Sequence, residues 1–301
     1  MRRVYLALLS VQVLFGLWPV AGAAVLREVT PQALIGFRLF LGAPCLLLAA
    51  RVLAPGPPQA RVQGADWLKL FGLALLGISA NQILFVEGLK RAGPINASVL
   101  LLIIPAVTLL AATLLRREHP SRLRLLGVGI AISGALGLVE VERFQLDDGG
   151  MLGNLLLLLN STSYAVFLVL ARPLIARLGS LRVMTWVFVL GAVQCAPYSL
   201  GSFLALDPLA LPNWALWSLG FILVGPTLLT YLLNGYALGR VESSLVAVFI
   251  YLQPLIATSA AWLILDQVPR RRTWIAGAVI VVGVALSAQP WKLLLPKRAV
   301  A

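Results

Sequence analysis

Apolar residues in this chain come in long runs separated by short polar segments, with neither the alternation of strands nor the mixed faces of soluble helices. Ten runs stand out, at about 4–26, 32–53, 67–89, 94–115, 122–141, 151–172, 183–205, 213–238, 244–265 and 272–290. Each is close to the roughly 20 residues that a helix needs to cross about 30 Å of hydrocarbon. No water is available in that layer to satisfy a backbone, so each run is predicted to be a helix. The connections "KRAGP" and "GRVES" leave only a few residues between the third and fourth runs and between the eighth and ninth. Gly, Ala and Ser recur within the runs, which fits close contact between helices. The opening "MRRVYLALLSVQVLFGLWPVAGAAVL" has the basic start, apolar stretch and small residues Ala21-Gly22-Ala23 of a secretory signal. So many runs follow it that it is read as the first transmembrane helix.

Composition agrees with that pattern. Of 301 residues, 60% are hydrophobic and 12% are charged, against about 25% charged in soluble domains. The expected fold class is an all-α membrane protein with ten transmembrane helices. Cys45 and Cys195 both fall inside runs and are read as small buried apolar residues, not as a disulfide or metal site. His119, the single histidine, lies in the basic loop "RREHPSRLR". No group of His, Cys and carboxylates has metal-ligand spacing, so no metal, cofactor or catalytic residue is predicted.

The net charge of +13 is a topology signal once its placement is considered. With the N-terminus in the cytoplasm, sixteen of the 24 Lys and Arg residues fall in inside segments and seven outside, leaving Arg38 within a span. The positive-inside rule then places both termini in the cytoplasm of a multi-pass protein of the cytoplasmic membrane. The acidic loop "EVERFQLDDGG" falls outside, in agreement, whereas "RRR" at 270–272 falls on the less favoured side. The basic excess calls for no nucleic-acid partner. The chain has no G-x-x-x-x-G-K-[ST] motif, so ATP is not expected to drive it directly.

The two halves repeat. A shift of 149 residues lays "GLKRAGPINASVLLLIIPAVTLLAATLL" over "ALGRVESSLVAVFIYLQPLIATSAAWLI", with Arg91 on Arg240, Pro105 on Pro254 and Pro120 on Pro269. The same shift puts "LGVGIAISGALGL" over "AGAVIVVGVALSA", with Gly134 on Gly283. Five spans per half is an odd number, so the second half enters the membrane from the opposite side. Two inverted five-helix repeats are expected, over residues 1–149 and 150–301. That is a transporter architecture, with its site near the midplane between the halves. In order and spacing these features resemble the ten-helix EamA family of the drug/metabolite transporter superfamily. The resemblance covers essentially the whole chain. It rests on the short third-to-fourth connection, Pro105 and Pro254 in the fourth helix of each half, the acids Glu118 and Asp266 near its end, and a Gly-rich fifth helix. It extends to "FGLWPV…TPQALIGFRL", including the arginine. It implies movement of small metabolites by alternating access.

Candidate lining residues follow from helical spacing, since positions i, i+4 and i+7 share a face. In the eighth run Thr227, Tyr231 and Asn234 form one stripe, and in the sixth Asn160, Tyr164 and Phe167 form another. The first run answers the sixth with Phe15 and Trp18. The third answers the eighth with Gln82 and Phe85, beside Asn81. The ninth carries Ser244, Tyr251 and Pro254, with Gln253 nearby. Polar residues at membrane depth face the bundle interior or a wet cavity. The candidate substrate-binding set is Phe15, Trp18, Arg38, Asn81, Gln82, Phe85, Asn160, Tyr164, Tyr231, Asn234 and Tyr251. The competing account makes the Asn, Ser and Tyr residues packing contacts between helices. Trp67, Trp214, Trp274 and Trp291 near run ends are read as interfacial anchors. Pro105 and Pro254 are read as kinks and candidate hinges.

Arg38 is the exception within an apolar run. Snorkelling is barely within reach at its depth. Pairing inside the bundle, with Glu87 as the nearest candidate, gives it a structural or gating role, which is favoured because intramembrane charges usually pair. The alternative is a carboxylate or phosphate on the substrate, to which its fork is suited. The expected function is therefore a secondary transporter of small metabolites, amino acids or related solutes, working as an exporter. The alternatives are a lipid flippase and an organic-cation or drug efflux carrier. The expected partners are a small-molecule solute and membrane lipid, with a homodimer left open. No nucleophile and base, paired acids or metal ligands fall together at membrane depth, so no enzyme is expected.

Overall fold

The computed structural model describes residues 2–53, 62–138, 148–256, 259 and 271–288. Among them the chain is helical, with no strand. It is an all-α membrane protein. Six helices are long and apolar enough to cross a membrane: Arg2–Val25, Pro31–Val52, Gly64–Gly93, Gly150–Leu178, Ser180–Leu204 and Asn213–Leu238. Shorter apolar helices occupy Val99–Leu114, Ser243–Ile256 and Trp274–Ser287, and a further helix runs over Arg122–Leu138. Each of the ten predicted runs therefore holds a helix. Asp266 and Trp291 lie outside the described residues.

Local breaks subdivide these runs. α1 is Arg2–Val25 and α2 is Pro31–Leu53. The third run is α3 (Gly64–Ala74), a π-helical turn (Leu75–Ser79) and α4 (Ala80–Leu101). Helical turns continue through "KRAGP", where a loop was expected. Only Gly93, at φ 78°, departs from helical geometry there, and a Cβ would disfavour that left-handed conformation. α5 is Ile104–Leu114, α6 is Arg122–Leu138 and α7 is Asp148–Leu178. Gly179, at φ 85°, separates α7 from α8 (Ser180–Leu204). The eighth run repeats the plan of the third: α9 (Asn213–Ile222), a π-helical turn (Leu223–Leu229) and α10 (Thr230–Leu238). α11 is Ser243–Val248 and passes into a 3₁₀ segment at Phe249–Leu252, and α12 is Arg271–Ala288.

The predicted kinks at Pro105 and Pro254 take the form of breaks. A proline removes its own N–H and clashes with the carbonyl four residues back. Ahead of Pro105 the helix gives way to a turn at Leu102–Ile103, and ahead of Pro254 it tightens to 3₁₀ geometry over Phe249–Leu252.

In the interior α2 packs on α8, α4 on α7, α6 on α12, and α1 on α9 and α10. The α6–α12 contact brings backbones together. A Cβ on Gly283 would lie 2.7 Å from Ala131 Cα, and one on Gly134 would lie 2.8 Å from Ile280 N. Large apolar residues such as Leu48, Leu68, Leu114 and Trp217 point outward, as a lipid-facing surface requires. Trp67, Trp214 and Trp274 are exposed, consistent with interfacial anchors. Cys195 is buried as expected, but Cys45 is exposed.

Candidate functional site

The stripes converge on one central cavity of about 530 Å³, counting the space at its mouth. Nine of the eleven candidates line it: Phe15, Trp18, Arg38, Asn81, Gln82, Phe85, Asn160, Tyr164 and Tyr231. Leu101, Ile104, Ile250 and Gln253 complete the wall. Several lining residues fall in pairs 149 apart: Phe15 with Tyr164, Gln82 with Tyr231, Leu101 with Ile250, and Ile104 with Gln253.

The two remaining candidates lie outside the wall. Asn234 sits behind it and donates from Nδ2 to Tyr164 Oη at 2.9 Å. Tyr251 is fully buried away from the cavity, and its hydroxyl has no partner among the described residues. The helical spacing that placed Tyr251 on a shared face assumed 100° per residue. The 3₁₀ segment turns faster, which brings Ile250 and Gln253 to the wall instead.

The π-helical turns shape the site. Adding 149 to 75–79 gives 224–228, within Leu223–Leu229, so the two turns occupy matched positions. In the second, Pro226 removes a backbone donor, and Thr227 Oγ1 donates to Ile222 O at 2.7 Å. The same oxygen accepts from Arg38 Nε at 2.8 Å. In the first, Gly77 offers its carbonyl to Tyr231 Oη at 3.1 Å. Each turn thus anchors a cavity residue carried by the other half of the chain.

Arg38 is 3% exposed. The Trp18 ring covers its guanidinium, with the centroid 4.4 Å from Cζ, a cation–π arrangement. The expected pairing with Glu87 does not occur. Glu87 instead pairs with Arg91 and accepts from Tyr198 Oη. Arg91 lies one helical turn on from Glu87, within easy reach, so the carboxylate is satisfied where it stands.

Other polar residues tie the walls together. Asn81 and Asn160 each donate to the other's backbone carbonyl, at 3.2 and 2.8 Å. Gln253 Nε2 donates to the buried Gln12 Oε1 at 2.8 Å. Ser161 and Ser163 donate to the carbonyls of Leu100 and Leu76, which makes them packing contacts. Gln82 differs: it is 2% exposed, and neither amide atom has a partner among the described residues. The rings form stacked pairs, Trp18 with Phe85 at 5.6 Å and Tyr164 with Phe167 at 5.9 Å, and Phe188 meets Tyr231 edge-on at 4.8 Å.

A second polar cluster joins the halves away from the cavity. Glu118 is buried after α5 and accepts from Ser243 N at 2.7 Å, Ser243 Oγ at 2.5 Å, Ser244 N at 3.3 Å and Ser244 Oγ. Arg124 pairs with Glu242 and lies 3.8 Å from Glu118 Oε2. Sequence reasoning named Glu118 only as part of a family pattern. It passed over Gln12, and nothing in helical spacing flagged the π-helical turns.

The model of the EamA-like transporter family matches residues 2–139 and again 151–289. An uncharacterized transporter of Archaeoglobus fulgidus is 26% identical over 263 residues, 87% of this chain and 89% of its own. A WAT1-related protein of Arabidopsis thaliana is 29% identical over 246 residues, 71% of this chain and 62% of that protein. A probable terminal-alkyne amino-acid exporter of Streptantibioticus cattleyicolor is 26% identical over 254 residues, 83% of this chain and 81% of that protein. One crystal structure superposes with a TM-score of 0.77 at 18% identity, covering 98% of both chains, and shares the fold.

Proposed function

This chain belongs to the EamA-like transporter family, and from that premise we propose that it is a secondary carrier exporting amino acids or related small metabolites by alternating access. It is a multi-pass integral membrane transporter of the drug/metabolite transporter superfamily, and its partner is a small-molecule solute. The cavity carries the finer reading. Its aromatic walls hold a few amide and hydroxyl groups, as sites for small organic solutes do. Eight of its thirteen lining residues fall in matched pairs, one from each half. Two inverted five-helix repeats, making ten crossings, account for that matching. The packing supports them: exchanging the first span with the sixth and the third with the eighth turns the α4–α7 contact into the contact of α1 with α9 and α10. The name of the S. cattleyicolor relative supports amino acids and export.

Solute counterflow in proteoliposomes tests the carrier. Vesicles loaded with unlabelled pools of amino acids, organic acids, nucleosides or sugars are expected to accumulate a trace of labelled solute from one pool. Silence with every pool, from folded protein, defeats the carrier reading. Within the site, Asn234 acts by holding the Tyr164 hydroxyl. Tyr164→Phe and Asn234→Ala are therefore expected to change selectivity in the same direction, and the double variant should do little more than either single one. Additive effects in counterflow would give Asn234 a separate role.

Both termini are placed in the cytoplasm. In a background lacking Cys45 and Cys195, Asp147→Cys should react with an impermeant maleimide from outside intact cells. Arg117→Cys should react only after the membrane is opened. The opposite pattern inverts the topology.

A further inference from the structure

We propose that the central cavity reads a carboxylate through Arg38, so that its cargo is an apolar-bodied organic acid carried as a monoanion. It rests on the transport reading above and, within it, selects related organic acids over zwitterionic amino acids. Arg38 has one protein partner for Nε, Thr227 Oγ1, and one ring face, Trp18. Among the described residues neither Nη has a hydrogen-bond partner and no carboxylate pairs with the side chain. Glu87 is held by Arg91 and Tyr198. Glu118 is held by Ser243 and Ser244 and is not part of the wall. An arginine cannot shed its charge in a protein, and an isolated cation out of water is unfavourable. A cargo carboxylate supplies the missing countercharge in a form that the planar fork fits.

Gln82 gives a second, independent observation. Its amide is buried in the same wall with both polar atoms unsatisfied among the described residues, and buried amides are otherwise almost always paired. Its Nε2 adds a donor for a carboxylate oxygen, and its Oε1 accepts from a hydroxyl on the cargo. The rest of the wall presents rings, aliphatic side chains and already bonded amides. No described residue there offers an ammonium group a countercharge, and Arg38 repels it. The expected order of preference is anion, then zwitterion, then cation.

Three probes share a phenyl body and differ at the head: 3-phenylpropionate, phenylalanine and phenethylamine. Counterflow of each is measured with the full-length protein in proteoliposomes, and equilibrium binding of labelled 3-phenylpropionate is measured in detergent. The anion is expected to exceed the cation roughly tenfold or more, since a wrong-signed partner meets direct repulsion. Arg38→Gln should erase the preference, while Arg38→Lys should keep part of it, because it retains the charge but not the fork. Binding decides where a folded variant fails to turn over, and the head-group order of the unsubstituted protein decides where Arg38→Gln does not fold. Equal handling of the three heads, preference for the amine, or an undiminished anion preference in Arg38→Gln overturns the inference. Pools of aliphatic amino acids, nucleosides and sugars run alongside. Counterflow with one of those and none with 3-phenylpropionate overturns the carboxylate inference alone. Silence throughout overturns the carrier reading beneath it.

Discussion

Glu118→Ala is expected to lower transport roughly tenfold or more and to destabilise the protein by about 1–3 kcal/mol, the cost of leaving buried donors without their acceptor. The carboxylate is buried, and four donors from Ser243 and Ser244 converge on it. Two of those donors are backbone N–H groups at the start of α11, which have no partner within the helix. A negative charge at that position also complements the helix dipole. Removing it strands the N–H groups and leaves Arg124 with Glu242 and the Ser244 hydroxyl. Ser243→Ala or Ser244→Ala removes only one hydroxyl and should cost about 1 kcal/mol, the net worth of an ordinary hydrogen bond. Glu118→Gln keeps the shape and one acceptor and should fall between. Thermal unfolding in detergent and counterflow in vesicles measure both effects. The cluster joins the two halves of the chain, so its loss should weaken transport even where the protein remains folded. If Glu118→Ala behaves like the single serine variants, the carboxylate is not the organising group.

Much of the site was legible because membrane helices make a simple code. An amide or phenol within an apolar run must face inward, so polarity and helical spacing alone group Asn81, Gln82, Asn160, Tyr164 and Tyr231, and all five line the cavity. The matching of the halves added Phe15 and Trp18, which polarity alone would not select. Two of the misses come from assuming an unbroken helix. Tyr251 left the wall because the chain tightens ahead of Pro254. Thr227 was in a stripe, but its bond to Arg38 depends on a π-helical turn that spacing cannot show. Arg38 was expected to find an acid within the protein, because that is the usual outcome. Instead Arg91 and Tyr198 take the nearest one.

A monoanionic cargo also bears on direction. An inside-negative potential contributes about 2.3 kcal/mol per 100 mV for each elementary charge leaving the cell. An exporter of carboxylates thereby gains a driving force without a coupled ion. An importer of the same solutes would have to overcome that term. The proposed direction and an Arg38 without a carboxylate partner among the described residues are consistent through charge alone.

Gly77→Ala is expected to abolish most transport, whereas Gly72→Ala, five residues earlier on the same run, should leave it intact. A Cβ on Gly77 would lie within 2.6 Å of Phe167 Cε2 and 2.7 Å of its Cγ. No relaxed packing accepts such distances, so the Phe167 ring must move. Phe167 stacks on Tyr164, which lines the cavity and holds Asn234. Gly77 also gives its carbonyl to Tyr231 Oη. One methyl group therefore disturbs two lining tyrosines, by displacing a ring and by shifting a π-helical carbonyl. Overpacking of this kind costs about 1–3 kcal/mol, a cost that a folded membrane protein can survive while its site geometry is lost. A Cβ on Gly72 meets nothing within 4 Å, so the same change of residue type there tests whether helix propensity alone matters. Counterflow of the two variants, normalised to folded protein recovered from the membrane, separates the effects. Equal activity in both would mean that Phe167 moves aside freely and that the first π-helical turn does not set the shape of the cavity.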